Sequence, residues 1–232
     1  MIYRFDPHVH TWYSADASSS PEEVIAAARA RGLHGLVLTD HNSCDAYRYC
    51  LKAGLAREEG TPVDGFLVVP GVEVSTAEGH LLCYGPLLDR RVGAPVREVV
   101  EEIHSTGGLA VPAHPYDGWR AGIREEVLDG LEIQTIEVFN AAVTSKRYNT
   151  KAEAYARQRG LSGTAGSDAH HASAVGTAVT ALAMDSLSVA KFLRAISQGA
   201  TLERKYLSRR EGLKKHFGNW LRMLNRRPKP QV

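Results

Sequence analysis

Nothing in this 232-residue chain approaches the run of about 18 apolar residues that a membrane-spanning helix needs. Cysteine is scarce. Cys44, Cys50 and Cys83 are odd in number and form no Cys-x-x-Cys pair, which argues against a disulfide framework and agrees with a reducing compartment. The start, Met1-Ile2-Tyr3-Arg4-Phe5-Asp6, lacks the basic-then-apolar pattern of a signal peptide, so the cytoplasm is the expected location. There is no Gly-x-Ser-x-Gly elbow and no cysteine in an evident activating motif, so covalent nucleophilic catalysis has no sequence support. No internal repeat interrupts the chain.

What is present is an ordinary globular composition, 44% hydrophobic and 23% charged, long enough for one substantial domain. The net charge of +2 conceals an asymmetry. Residues 204–232 carry ten Lys/Arg and one acid, Glu211, whereas residues 1–203 hold 18 basic and 25 acidic side chains. That division suggests an acidic body over 1–203 and a basic tail over 204–232. In the tail, Leu213, Phe217, Trp220, Leu221 and Leu224 fall on one face of a helix. The expected partner of that face is the body's own surface, with an anionic membrane, a nucleic acid or a partner groove as alternatives.

Short β-like runs over 3–10, 35–39, 66–74, 81–84, 109–113, 134–139, 163–165 and 176–182 alternate with helical patterns over 21–31, 43–59, 94–105, 147–159 and 187–198. Pro21 follows Ser20, a suitable helix N-cap. Such alternation favours a parallel sheet, closed into a barrel or doubly wound. The metal-capable residues fall in one place in this pattern: His8 and His10, Asp40 and His41, Glu73, His114, Glu137, Asp168 and His170 all sit at or just past the C-terminal end of a strand. In a β/α barrel those ends meet on one face. His8-Val9-His10 adds a local reason, because a strand's period of two turns both imidazoles to the same side. Asp16 follows in a small-residue loop, and His80 opens the fourth extended run.

The ordered motifs Asp6-Pro7-His8-Val9-His10-Thr11, Thr39-Asp40-His41-Asn42, Gly71-Val72-Glu73, Ala113-His114-Pro115, Glu137-Val138-Phe139-Asn140 and Gly166-Ser167-Asp168-Ala169-His170 resemble the PHP (polymerase and histidinol phosphatase) family from about residue 3 to about residue 183. The resemblance implies an α/β fold, a distorted seven-stranded (β/α)7 TIM-like barrel, with the basic helical tail appended. It also implies two or three divalent ions, Mn, Zn or Fe. One ion would take His8, His10, Glu73 and Asp168. A second would share Glu73 and add His114 and His80, and a third would take Asp16, His41 and His170. Asp16 stands where some relatives have a histidine, so the third site would be weaker or would prefer a harder ion.

With Glu73, Asp168 and His114 at the reaction centre, the implied chemistry is attack of a metal-bridging hydroxide on a phosphate mono- or diester. The substrate would be a small phosphorylated metabolite, a nucleotide or an oligonucleotide. Arg120, Lys146 and Arg147 are candidate phosphate contacts, or else solvated surface charges. Tyr116 or Trp119 either stacks on a base or packs its own loop. Asp40 is expected to orient a ligand rather than bind metal, and Glu137 is either a core-edge carboxylate or an orienting partner, outside the ligand set. His34, His104, His171 and His216 are expected outside the site. Two other functions stay open: hydrolysis of a C–N or C–O bond in the manner of amidohydrolases, although no strand-end lysine is available for carbamylation, and a non-catalytic metal-binding module whose tail binds polyanions.

Overall fold

The computed structural model describes residues 1–88 and 92–207; the amphipathic pattern expected over 213–224 lies outside them. In chain order the elements are β1 Ile2–Val9, α1 Pro21–Ala30, β2 Gly35–Leu38, α2 Asp45–Lys52, β3 Leu67–Ser75, β4 His80–Tyr84, α3 Val96–Ser105, β5 Leu109–Pro112, α4 Glu125–Leu128, β6 Thr135–Asn140, α5 Lys146–Arg159, β7 Ser162–Gly166, β8 Val179–Ala183, α6 Val189–Gln198 and β9 Thr201–Glu203. Helix α1 starts where its sequence dictates. Ser20 Oγ accepts from Glu23 N (3.2 Å), and the Glu23 carboxylate accepts from Ser20 N (2.9 Å), a reciprocal box that satisfies two end donors. Helix α2 is shorter than the pattern over 43–59. It stops at Lys52, and residues 53–66 lead irregularly into β3.

The result is an α/β fold built on a curled half-barrel. One sheet runs β5-β4-β3-β2-β1-β8-β9, and β6 and β7 form a parallel pair. Strands β1, β2 and β3 are parallel, as expected, but β4 runs antiparallel to β3 and β5, and β8 antiparallel to β1. The physical reason at β3–β4 is connection length. Only residues 76–79 join them, enough for a turn closed by Thr76 N to Gly79 O (3.0 Å) and too few for a crossover helix. The β7 edge meets the large sheet through His10 N to Ala169 O (2.9 Å) and through Thr180 Oγ1, which bonds both Ala165 N and Ala165 O.

The period of two sorts each strand between core and site. Along β3, Leu67, Val69 and Glu73 share a face, and along β4 so do Tyr84, Leu82 and His80. The apolar members of these sets join Phe5, Val37, Leu109 and Val111 in one buried cluster, which Phe192 and Ile196 of α6 complete. The opposite strand faces pack under α1 and α2, or under α3, α4 and α5. Polar members at the other strand ends are thereby gathered over an apolar floor. No helix among the described residues is long and apolar enough to cross a membrane.

Candidate metal centre

Glu73 is the hub. Its backbone is fixed between strand ends by Glu73 N to Asp40 O (3.2 Å) and Asn42 N to Glu73 O (2.9 Å). Its buried carboxylate faces five imidazoles. Oε2 lies 3.4 Å from His8 Nε2, 3.2 Å from His10 Nε2 and 3.2 Å from His41 Nδ1, while Oε1 lies 2.8 Å from His80 Nδ1 and 3.0 Å from His114 Nε2. Asp168 Oδ1 closes the other side, 3.8 Å from His8 Nε2, 3.5 Å from His10 Nε2 and 3.4 Å from His170 Nδ1. Asp16, 37% exposed at the rim, puts Oδ2 2.9 Å from His170 Nε2 and 3.6 Å from His41 Nε2. All nine residues of the expected ligand set therefore converge.

Within the cluster, three sets of donor atoms lie within 4.8 Å of one another: His8, His10 and Asp168; His41, Glu73 and His80; and His10, His41 and His170. The grouping differs in detail from the expected sharing. His41 rather than His114 joins Glu73 and His80, and His10 rather than Asp16 joins His41 and His170.

A shell of hydrogen bonds aims these ligands. Glu137, fully buried, accepts His8 Nδ1–H at Oε1 (2.9 Å), and at Oε2 it accepts from His114 N (2.7 Å) and Asn140 Nδ2 (2.9 Å). His8 is thus left with Nε2 directed at Glu73 and Asp168. Asn140 also donates Nδ2 to Asp168 Oδ2 (3.0 Å). Asp40 works through a loop. It accepts from Thr11 N, Thr11 Oγ1, Ser14 N and Ser14 Oγ, and Ser14 Oγ in turn accepts from His41 N (2.9 Å) and lies 3.2 Å from His10 Nδ1. Asp40 takes the orienting place expected of it, and of the two readings open for Glu137 its hydrogen bonds favour the orienting one. Sequence reasoning missed Ser14 and Asn140, whose only signal was a polar residue beside a motif.

The electrostatics follow from burying so many ionisable groups together. Burial opposes ionisation of Glu73, but the imidazoles of His41, His80 and His8 outweigh it and hold its carboxyl well below the usual range. Burial likewise opposes the cationic form of His10, yet Asp168 and Glu73 push it up to about 9. His114 goes the other way, lowered by burial beyond what Glu73 restores. Protons on His8 and His10 thus offset part of the carboxylate charge here. Divalent cations would replace those protons and release them. The donor set fits such ions: six imidazoles and three carboxylates suit Mn, Fe or Zn, and His114 Nδ1 is buried without a hydrogen-bond partner. His114 and Asp168 also adopt left-handed backbone, φ 30° and 52°, a local cost of roughly 1–3 kcal/mol each for residues other than glycine.

The three basic candidates separate. The Arg120 guanidinium reaches the centre, 2.5 Å from Asp168 Oδ2, and donates to Ala142 O (3.2 Å) and Asn140 Oδ1 (3.4 Å). Lys146 lies over the Tyr206 ring (4.6 Å), whereas Arg147 lies over Tyr148 (5.0 Å) and lines a neighbouring cleft with it. His34 accepts from Arg4 N (3.0 Å), and His171 lies near Ser173, both apart from the centre.

Comparison with known proteins agrees with this geometry. A family model described as PHP-associated matches residues 146–201. An uncharacterized protein of Methanocaldococcus jannaschii is 29% identical over 148 residues, covering 59% of this chain and 81% of that protein. A probable phosphatase of Enterobacter sp. (strain 638) is 33% identical over 91 residues, 38% of this chain but only 37% of its own length. Among solved structures, PsfC from Pseudomonas syringae superposes with a TM-score of 0.71 at 20% identity, covering 95% of this chain and 98% of PsfC. The lesion-specific endonuclease EndoQ from Pyrococcus furiosus does so at 0.69 and 18% identity, over 87% of this chain and 58% of the endonuclease. A two-domain Bacteroides vulgatus protein containing a predicted PHP-like metal-dependent phosphoesterase gives 0.67 and 18%, over 94% and 70%. At these identities the structural likenesses establish the fold.

Proposed function

We propose that this chain is a metal-dependent phosphoesterase of the PHP kind, hydrolysing a phosphate mono- or diester of a small metabolite, nucleotide or oligonucleotide. The observation that carries this is the convergence of nine donor side chains in one centre, five imidazoles around Glu73 and His170 and Asp16 beside Asp168, with an arginine reaching the same centre. Two or three divalent ions, Mn, Zn or Fe, would be held by His8, His10, Glu73 and Asp168, by Glu73, His80 and His114, and by Asp16, His41 and His170. When bound, such ions lower the pKa of water and neutralise charge developing on a phosphoryl group.

The chain's own residues prepare that chemistry. Glu73 stays ionised at the shared position because its imidazole neighbours outweigh its burial. Glu137 presents His8 in the tautomer a metal requires. Arg120, anchored by Asn140 and the carbonyl of Ala142, holds a fixed positive charge beside Asp168, where a non-bridging phosphate oxygen would be drawn. Lys146 and Arg147 are placed by this reading at the outer edge of the substrate site.

We also read the half-barrel and the β6–β7 pair, nine strands in all, as arcs of one distorted TIM-like barrel over 1–203 in which seven strands would form the wall, with 204–232 as a basic appendage. In support, the described chain leaves the body beside the site: Leu207 N donates to Ala141 O (3.1 Å) and Tyr206 packs on Phe139. Three buried free cysteines suit the cytoplasm.

The test is release of inorganic phosphate from glycerol phosphate with Mn²⁺, Zn²⁺ or Fe²⁺, reversed by a chelator, beside amide and lactone probes. Metal-dependent release with inert amides and lactones is expected. Turnover of the amide or lactone alone would transfer the site to C–N or C–O hydrolysis.

A further inference from the structure

A cleft of about 690 Å³ is lined by residues of the loop that follows His114 and of the start of α5, and none of the nine donor residues lines it. Tyr116, Trp119 and Tyr148 line it together with Arg124, Arg147, Lys151, Glu125 and Glu126. We infer that this cleft seats an aromatic base, so that the substrate is a nucleotide or a short single strand whose phosphate reaches the donor cluster. The inference rests on the phosphoesterase reading and narrows it.

Four observations support it. First, Trp119 is 87% exposed, although the loop carrying it is built rigidly. Asp117 is fully buried and accepts from Thr144 N and Thr144 Oγ1 (2.8 Å each), while its carbonyl accepts from Arg120 N and Gly122 N (2.9 Å each). Gly122 packs so tightly that a Cβ would stand 2.3 Å from His114 O. A rigid loop that presents an indole to solvent is preorganised for stacking.

Second, the same loop spans both sites. His114 belongs to the metal cluster, Tyr116 to the cleft, and Trp119 adjoins Arg120, whose guanidinium touches Asp168. The inference requires a ligand on the indole to extend along this loop to Arg120.

Third, the charge suits an anion. Lys151 is paired with Glu125 (2.9 Å), which leaves Arg124 and Arg147 with no ion-pair partner among the described residues against the single carboxylate of Glu126. Fourth, α5 begins at this cleft with Lys146 and Arg147, has no acid in its first turn, and receives no side-chain cap from Ser145. Basic residues at a helix N-terminus oppose the macrodipole unless an anion is bound there. Aromatic faces interleaved with cations are the means by which single-stranded nucleic acids are held.

The experiment uses the full chain, Trp119→Ala, Trp119→Phe and Arg147→Gln, with three substrates: thymidine 5′-monophosphate, a 5′-phosphorylated thymidine tetramer and glycerol phosphate. The ratio of kcat/KM for the nucleotide to that for glycerol phosphate should fall about tenfold in Trp119→Ala, as the loss of one stacked base implies. It should recover in Trp119→Phe and fall again in Arg147→Gln. An unchanged ratio overturns the inference.

Indole fluorescence, titrated with the nucleotide in chelator, gives an independent reading. Quenching that is lost in Trp119→Phe supports the cleft even if no ester is hydrolysed, in which case the phosphoesterase reading alone fails. Turnover of glycerol phosphate without quenching rejects the cleft alone. Tighter, more salt-dependent binding of the tetramer identifies a strand as the ligand, and equal binding identifies the free nucleotide.

Discussion

Glu137→Gln separates aiming a ligand from being one. The carboxylate has three partners: His8 Nδ1–H on Oε1, and two donors, His114 N and Asn140 Nδ2, on Oε2. Glutamine keeps the shape but has one acceptor oxygen. If that oxygen faced His8, its amide group would meet two donors and leave both buried and unpaired, at about 1–3 kcal/mol each. The oxygen should therefore stay with the two donors, and the amide N–H should face His8 Nδ1. A neutral His8 would then carry its proton on Nε2, the nitrogen directed at Glu73 and Asp168, and could not ligate there. Losing such an orienting partner typically costs 10–100-fold in metal affinity, or roughly 1.4–2.7 kcal/mol. Calorimetric titration of Mn²⁺ or Zn²⁺ should show that loss, and nitrogen-detected NMR should show the exchanged tautomer. Unfolding in chelator should change by much less than in Glu137→Ala. Metal affinity within twofold of wild type would refute the tautomer argument.

Gly166→Ala should weaken metal binding at least about tenfold, since a Cβ there would stand 2.6 Å from His8 Cβ and 2.7 Å from Glu137 Oε1; the same titration measures it. Phe192→Ala removes the ring that packs 4.8 Å from Phe5 within the apolar floor of the half-barrel, and denaturant unfolding should show about 3–5 kcal/mol lost, with metal content retained. His34 titrates below its ordinary value, first because of burial and then because of Arg4. A depressed folded pKa means stability that is present above the unfolded value and lost as pH falls through the folded one. The gap between wild type and His34→Asn, measured in chelator at pH 7.5 and 5.0, should therefore change with pH.

Much of this was legible because period and punctuation agreed. The runs over 66–74 and 109–113 read as strands, and the strand-end position of the candidate ligands predicted their convergence. Capping signals at Ser20 and Pro21 marked α1 correctly. What the sequence hid was direction and reach. The runs over 66–74 and 81–84 are visible, but only the shortness of the 76–79 turn makes β4 antiparallel. The pattern over 43–59 continued past Lys52 because its later residues satisfy helical spacing, while in the structure they approach β3. Arg120 and Lys146 read alike as loop cations. The fold separates them, because Asp117 fastens one loop to Thr144 and turns Arg120 inward. Ser14 and Asn140 act only through neighbours brought from distant strands, so no local pattern marks them.

The most direct test of the central claim is metal content and phosphate release measured together on wild type and Glu73→Ala. The account predicts two or three divalent ions and metal-dependent release for wild type, with both reduced sharply by removal of the carboxylate that five imidazoles surround. Phosphate release at the wild-type rate from Glu73→Ala, or wild-type protein that binds no divalent ion, would contradict it.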